Sequence, residues 1–150
     1  MRFILLLPVL IMATNFAVAQ SSAKFNLDDL KWEHRVLVVI ASDSTQKSTA
    51  PLLNQVERYQ VDFLDRNMVL IALFKDHVSH IDGVPLDEEA SSDLQEKLSV
   101  ENYDFRIVLI GKDGGIKLDR KVSTDLNDIF AHIDTMPMRR SEMRRKQRGG

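Results

Sequence analysis

The chain contains no cysteine. Disulfides, dithiol exchange, zinc held through sulfur and a thiolate nucleophile are therefore excluded for it. Glycine and proline are sparse, at six and four residues, and no Pro-, Gly- or Ser-rich linker divides the middle of the chain. No internal repeat or low-complexity stretch occurs. What is present is 150 residues, 44% hydrophobic and 28% charged. That is the composition of one globular domain, not of a disordered, collagenous or membrane-embedded chain.

The one long apolar run, Phe3 to Met12, is too short for the roughly 20 residues that span a bilayer. Arg2 precedes it, and Ala17-Val18-Ala19 follows with the small-x-small pattern of a signal-peptidase site. These features predict a signal peptide over residues 1–19, cleavage after Ala19, and export to the periplasm or the extracellular space. No transmembrane segment is expected in the mature chain. Residues 20–138 are expected to form one domain and 139–150 a basic tail. Charge divides the same way: Gln20 to Met138 holds 13 basic and 21 acidic residues, a net of −8, while Arg139 to Gly150 holds six cations against Glu142, a net of +5.

Val36 to Ala41 is a continuous, mostly β-branched run, too short for a helix and without alternation, which predicts a strand covered on both faces. Phe25, Leu27, Leu30 and Trp32 before it suggest a short lead-in packed on the sheet. Pro51 opens a helix with Leu52, Val56, Tyr59 and Phe63 on one stripe, and Met68 to Phe74 follows as a second buried strand. Lys75 to Leu86 reads as a polar connection, and Leu86 to Leu98 as a weaker helix. Phe105 to Ile110 is the third strand, and Asp113-Gly114 predicts a hairpin into an edge strand, Ile116 to Val122. Ser123 is placed to cap a helix carrying Leu126, Ile129, Phe130 and Ile133. A basic helix or frayed tail is expected beyond Pro137.

This order, βαβ, a linking helix, then ββα around a mixed four-stranded sheet, is that of a thioredoxin-like α/β fold. The segments Leu109-Ile110-Gly111-Lys112-Asp113-Gly114-Gly115 and Ile133-Asp134-Thr135-Met136-Pro137-Met138-Arg139-Arg140-Ser141-Glu142-Met143-Arg144 resemble the signature of a domain family of unknown function. That family is found in small exported bacterial proteins and in vertebrate extracellular-matrix proteins of the sushi-repeat and equarin types. The resemblance extends to Leu27 to Ala41. It implies a thioredoxin-like or peroxiredoxin-like fold and supplies no activity.

In such a sheet the ends of the first two strands and the start of the third share one edge, where ligands of open α/β sheets collect. Redox proteins of this fold place a cysteine in the first segment; here Asp43, Ser44, Thr45, Lys47 and Ser48 stand there, with Arg106 expected nearby. These groups suit an oxyanion near a helix N-terminus, or serve as cap and turn residues. His77 and His80, flanked by Asp76 and Asp82, have the residue types of a zinc or copper site, or are surface histidines. No catalytic residue is assigned, since no nucleophile elbow or acid-base pair occurs, and no cofactor is expected. Arg139, Arg140, Arg144, Arg145, Lys146 and Arg148 form a basic surface that would attract an anionic polymer, lie back on the acidic body or remain solvated. The sequence therefore points to a non-catalytic binding or structural module of the envelope or matrix, with an unknown protein or anionic polymer as partner. The alternative is a ligand-binding protein or enzyme using the polar edge.

Overall fold

The mostly β-branched run after His34 becomes the centre of the sheet. The structure is a computed structural model that describes residues 25–149; the predicted signal peptide and its cleavage site lie outside the described residues. Strand β1 (Arg35–Ala41) is buried along its whole length. It pairs in parallel with β2 (Met68–Phe74) and antiparallel with β5 (Arg106–Ile110), with Val36 opposite both Val69 and Ile110. Between β1 and β2 lie α1 (Ala50–Arg58) and α2 (Gln60–Asp65).

After β2 come two short strands, β3 (His80–Ile81) and β4 (Val84–Pro85), then α3 (Glu88–Lys97). β6 (Ile116–Arg120) follows β5, and the chain ends in α4 (Leu126–Asp134) and α5 (Pro137–Gly149). The strand order is β4-β3-β2-β1-β5-β6, so the sheet has six strands where four were expected.

Alternation along each strand sorts the core into two layers. Leu37, Val39, Ala72, Ile107 and Leu109 face α1, α2 and α4, meeting Leu52, Phe63, Leu126, Ile129 and Ile133. Val36, Val38, Ile40, Ile71, Leu73 and Val108 face α3 and the lead-in, meeting Leu86, Ala90, Leu94 and Leu98. Helices on both faces explain why the strands read as unbroken apolar runs.

Three sequence expectations change. The polar connection contains a hairpin: Asp82 and Gly83 both adopt positive φ, at 45° and 80°, the type I′ turn that an Asp-Gly pair between strands favours. The single helix expected from Pro51 to Phe63 breaks at Tyr59 (φ −105°, ψ 32°), and nothing in the structure explains the break. The cap of α4 is Asp125, whose carboxylate accepts from the Asn127 amide at 2.8 Å, and not Ser123. Ser123 stands three residues before the first helical residue, too early to reach the orphan amides of the first turn.

Candidate functional site

The polar edge is assembled by backbone bonds across the ends of β1 and β2. The amides of Lys75 and Asp76 donate to the carbonyls of Ala41 and Ser42, each at 3.3 Å, while Ser42 Oγ donates to Tyr103 O at 3.4 Å. Asp43 closes its own turn, accepting from Thr45 N at 2.7 Å and Thr45 Oγ1 at 2.6 Å. Those two bonds, with a weaker one from the Gln46 backbone, hold the Asp43 carboxyl below its ordinary value. Ser44, Lys47 and His77 are exposed and Ser48 is half-buried. At the start of α1, Gln46 Oε1 and Thr49 Oγ1 are buried with no partner among the described residues, and Thr49 makes no side-chain cap.

Arg106 does not join this group. Its place on β5 puts its side chain on the α3 face with Val108 and Ile110, whereas the turn runs into α1 on the other face. Its guanidinium donates to both Asp119 oxygens at 2.9 and 2.7 Å and to Leu98 O at 2.7 Å. The histidine pair is also drawn apart in role. His80 sits in β3 opposite Ala72 and Pro85, while His77 lies in the exposed bend before it. Asp82, its expected helper, accepts from Leu70 N at 2.8 Å as a turn residue. Among the described residues, no three His, Asp or Glu side chains come together to hold a metal.

The densest electrostatic feature lies at the opposite end of the sheet, where β1 and β2 begin and β5 ends. Arg35 is 1% exposed, and its guanidinium donates to Glu142 on α5 at 3.1 and 3.3 Å and to Arg66 O at 2.8 Å. Lys112, just past β5, reaches Glu142 at 2.9 Å and Asn67 Oδ1 at 3.0 Å. Burial alone would raise the Glu142 carboxyl, but hydrogen bonds from Lys112 and Arg35 outweigh it and hold it below its ordinary value.

Beside this group, Arg139 is buried, donating to Asp134 at 3.0 Å, to Asp65 O at 2.7 Å and to the Asp65 carboxylate. Lys146 pairs with Asp65 at 2.6 Å. Arg66 pairs with Asp134 at 2.7 Å and lies over the Phe130 ring, 4.3 Å from its centroid. Lys146 and then Arg139 pull the Asp65 carboxyl down to about 2.

The basic segment is thus neither frayed nor uniformly exposed. It is a helix whose Arg139 and Glu142, at i and i+3, face inward while the exposed Lys146 reaches Asp65 from the rim, and the domain boundary expected at Met138 falls inside it. Arg139, expected on the basic surface, belongs to the interior. Arg140, Arg144, Arg145 and Arg148 are exposed and form no ion pair among the described residues. Sequence reasoning missed Arg35, Lys112 and Asp65. The available signal was a cation opening an apolar strand, since a charge at such a place needs a carboxylate from elsewhere in the chain.

A family model described as Domain of unknown function (DUF4174) matches residues 26–142. The match thus spans the sheet and ends on Glu142. Two solved structures resemble the fold. Prx1a of Plasmodium yoelii, modified at its N-terminus, is 14% identical with a TM-score of 0.50, covering 71% of this chain and 75% of its own. Thioredoxin peroxidase I of Plasmodium yoelii is 15% identical with a TM-score of 0.50, covering 72% and 75%. At that identity the likeness shows a thioredoxin-like fold and nothing of activity. A comparison with curated proteins finds no match.

Proposed function

The chain belongs to the DUF4174 domain family, and from that premise we propose that it is an exported, non-catalytic binding or structural module built on a thioredoxin-like scaffold. The observation that supports this most is the occupancy of the polar edge. With no cysteine in the chain, the segment after β1 holds Asp43 closed on Thr45, and the cation expected beside it is spent on Asp119. No side chain there is held as an activated nucleophile. The features of residues 1–19 support export to the periplasm or extracellular space, where a protein or anionic polymer of the envelope or matrix would be the partner.

The test has two arms. Purified protein should not accelerate the reduction of insulin disulfides or of peroxide above the rate of an added thiol donor alone; acceleration would overturn the reading. Cell fractionation with N-terminal sequencing should find the chain outside the cytoplasm beginning at Gln20, and a cytoplasmic chain retaining Met1 would overturn export.

A second reading is favoured by one observation, the unpartnered Gln46 Oε1 and Thr49 Oγ1 at the start of α1. Buried polar groups normally have partners, and an ordered water or small ligand would supply them. Crystals soaked separately with sulfate, phosphate and zinc would show a bound group beside Asp43, Lys47 or His77 if the polar edge is a ligand site.

A further inference from the structure

Helix α5 divides its cations. Arg139 turns inward to Asp65, and the exposed Lys146 reaches the same carboxylate from the rim. Arg140, Arg144 and Arg148 follow at i, i+4 and i+8 with Arg145 beside them, a stripe spanning about 12 Å on the outward face. Helix stability does not account for this stripe. Like charges at i, i+4 oppose each other, and of the four only Arg148 lies in the last turn, where the helix dipole favours a cation. Guanidinium suits bidentate contact with phosphate oxygens. The inward ion pairs fix which way the stripe faces.

Exposed apolar groups gather at the same end. Trp32 is 67% exposed at a φ of 69°, a left-handed conformation that strains a bulky residue. Its amide donates at 2.6 Å to the carbonyl of Lys112, the residue that pairs with Glu142 on α5. Leu64, 60% exposed, precedes Asp65, and Met138, 40% exposed, precedes Arg139. A stripe of cations alone would suit any polyanion. Cations with an aromatic and two aliphatic groups exposed at the same end of the molecule suit a surface that is anionic outside and apolar beneath.

We propose that this end of the molecule docks on an anionic phospholipid surface, with Arg140, Arg144, Arg145 and Arg148 on the phosphates and Trp32 at the interface. The proposal deepens the reading of the chain as a binding module by naming its partner. Catalytic turnover would end that reading without touching vesicle binding, so the two fail separately.

Trp32 is the only tryptophan, so its emission reports the contact directly. With vesicles of phosphatidylcholine and phosphatidylglycerol, the purified protein should co-sediment and its emission should shift to the blue. Phosphatidylcholine alone should do neither, and added salt should weaken binding steeply. Each Arg→Gln in the stripe should weaken binding about fivefold, and all four together on the order of a hundredfold or more, with unchanged melting temperature. Trp32→Gly, which the positive φ favours, should keep the fold and still bind more weakly. No blue shift on anionic vesicles, or equal binding by the four-glutamine variant, overturns the proposal. Retention on heparin or single-stranded DNA without a shift on vesicles assigns the stripe to a linear polyanion and overturns it as well.

Discussion

Glu142 on α5 accepts two hydrogen bonds from Arg35, the first residue of β1, across a separation of 107 residues. The same carboxylate takes Lys112 from the turn after β5. The two segments that carry the family resemblance, Leu109 to Gly115 and Ile133 to Arg144, therefore meet at one ion pair. That contact makes the signature a fastening of the last helix to the central strand.

Removing the shared carboxylate should strand two buried cations. Glu142→Ala is expected to cost about 3 kcal/mol, the range for breaking one side of a buried pair, measured by urea unfolding. The double variant Arg35→Met with Glu142→Met should lose less than the sum of the single losses, by about 1 kcal/mol or more. Strict additivity would mean that the pair contributes nothing beyond its separate contacts.

Truncation should distinguish the two faces of α5. Ending the chain after Met143 removes Lys146 from Asp65 and should cost about 0.5–1 kcal/mol, as for a largely exposed pair. Ending it after Thr135 also removes Arg139 and Glu142, and should cost several times more or prevent folding. Thermal and urea unfolding of both truncations would check this, and equal stability would show that α5 is not fastened to the domain.

The Asp65 carboxyl gives a pH prediction. Its folded value is about 2 against an ordinary 3.8, so folding favours the ionised form. The stabilisation is complete above the ordinary value and is lost as pH falls through the folded one. Its size is about 1–2 kcal/mol. Asp65→Asn should remove this part of the loss between about pH 4 and 2. Asp28, Asp43, Asp113, Asp119 and Glu142, whose values also lie low, remain as background in both proteins. Parallel pH profiles for the two would refute the assignment.

The cap of α4 can be tested by paired substitutions. Asp125→Ala should cost about 1 kcal/mol, as loss of an N-cap does, while Ser123→Ala should stay within about 0.5 kcal/mol. The reverse order in chemical denaturation would restore Ser123 as the cap.

For the histidines, saturating zinc or copper should leave the melting temperature unchanged in the wild type and in the variant carrying both His77→Ala and His80→Ala. A ligand bound only by the folded state raises melting by mass action. A rise that the double substitution abolishes would establish a site there.

By itself the sequence determined the order of the longer helices and strands and placed β1, β2 and β5 inside the sheet, because burial on two faces leaves unbroken runs such as Val36 to Ala41 and Met68 to Phe74, and one-faced burial leaves the stripe of Leu126, Ile129, Phe130 and Ile133. It also excluded thiol chemistry, since absence of a residue type needs no geometry to interpret. The Asp82-Gly83 hairpin was read as a polar connection, because the two-residue strands that it joins are too short to show a pattern. Only the tertiary structure decided the charges. Which cation of Arg139 to Arg148 is buried, and that Arg106 faces Asp119 instead of the turn at Asp43, depend on which side of a helix or strand points inward and on carboxylates tens of residues away. Apolar burial repeats with the period of the local element and so leaves a pattern along the chain; an ion pair between Arg35 and Glu142 has no period, and exists only after folding brings its partners together.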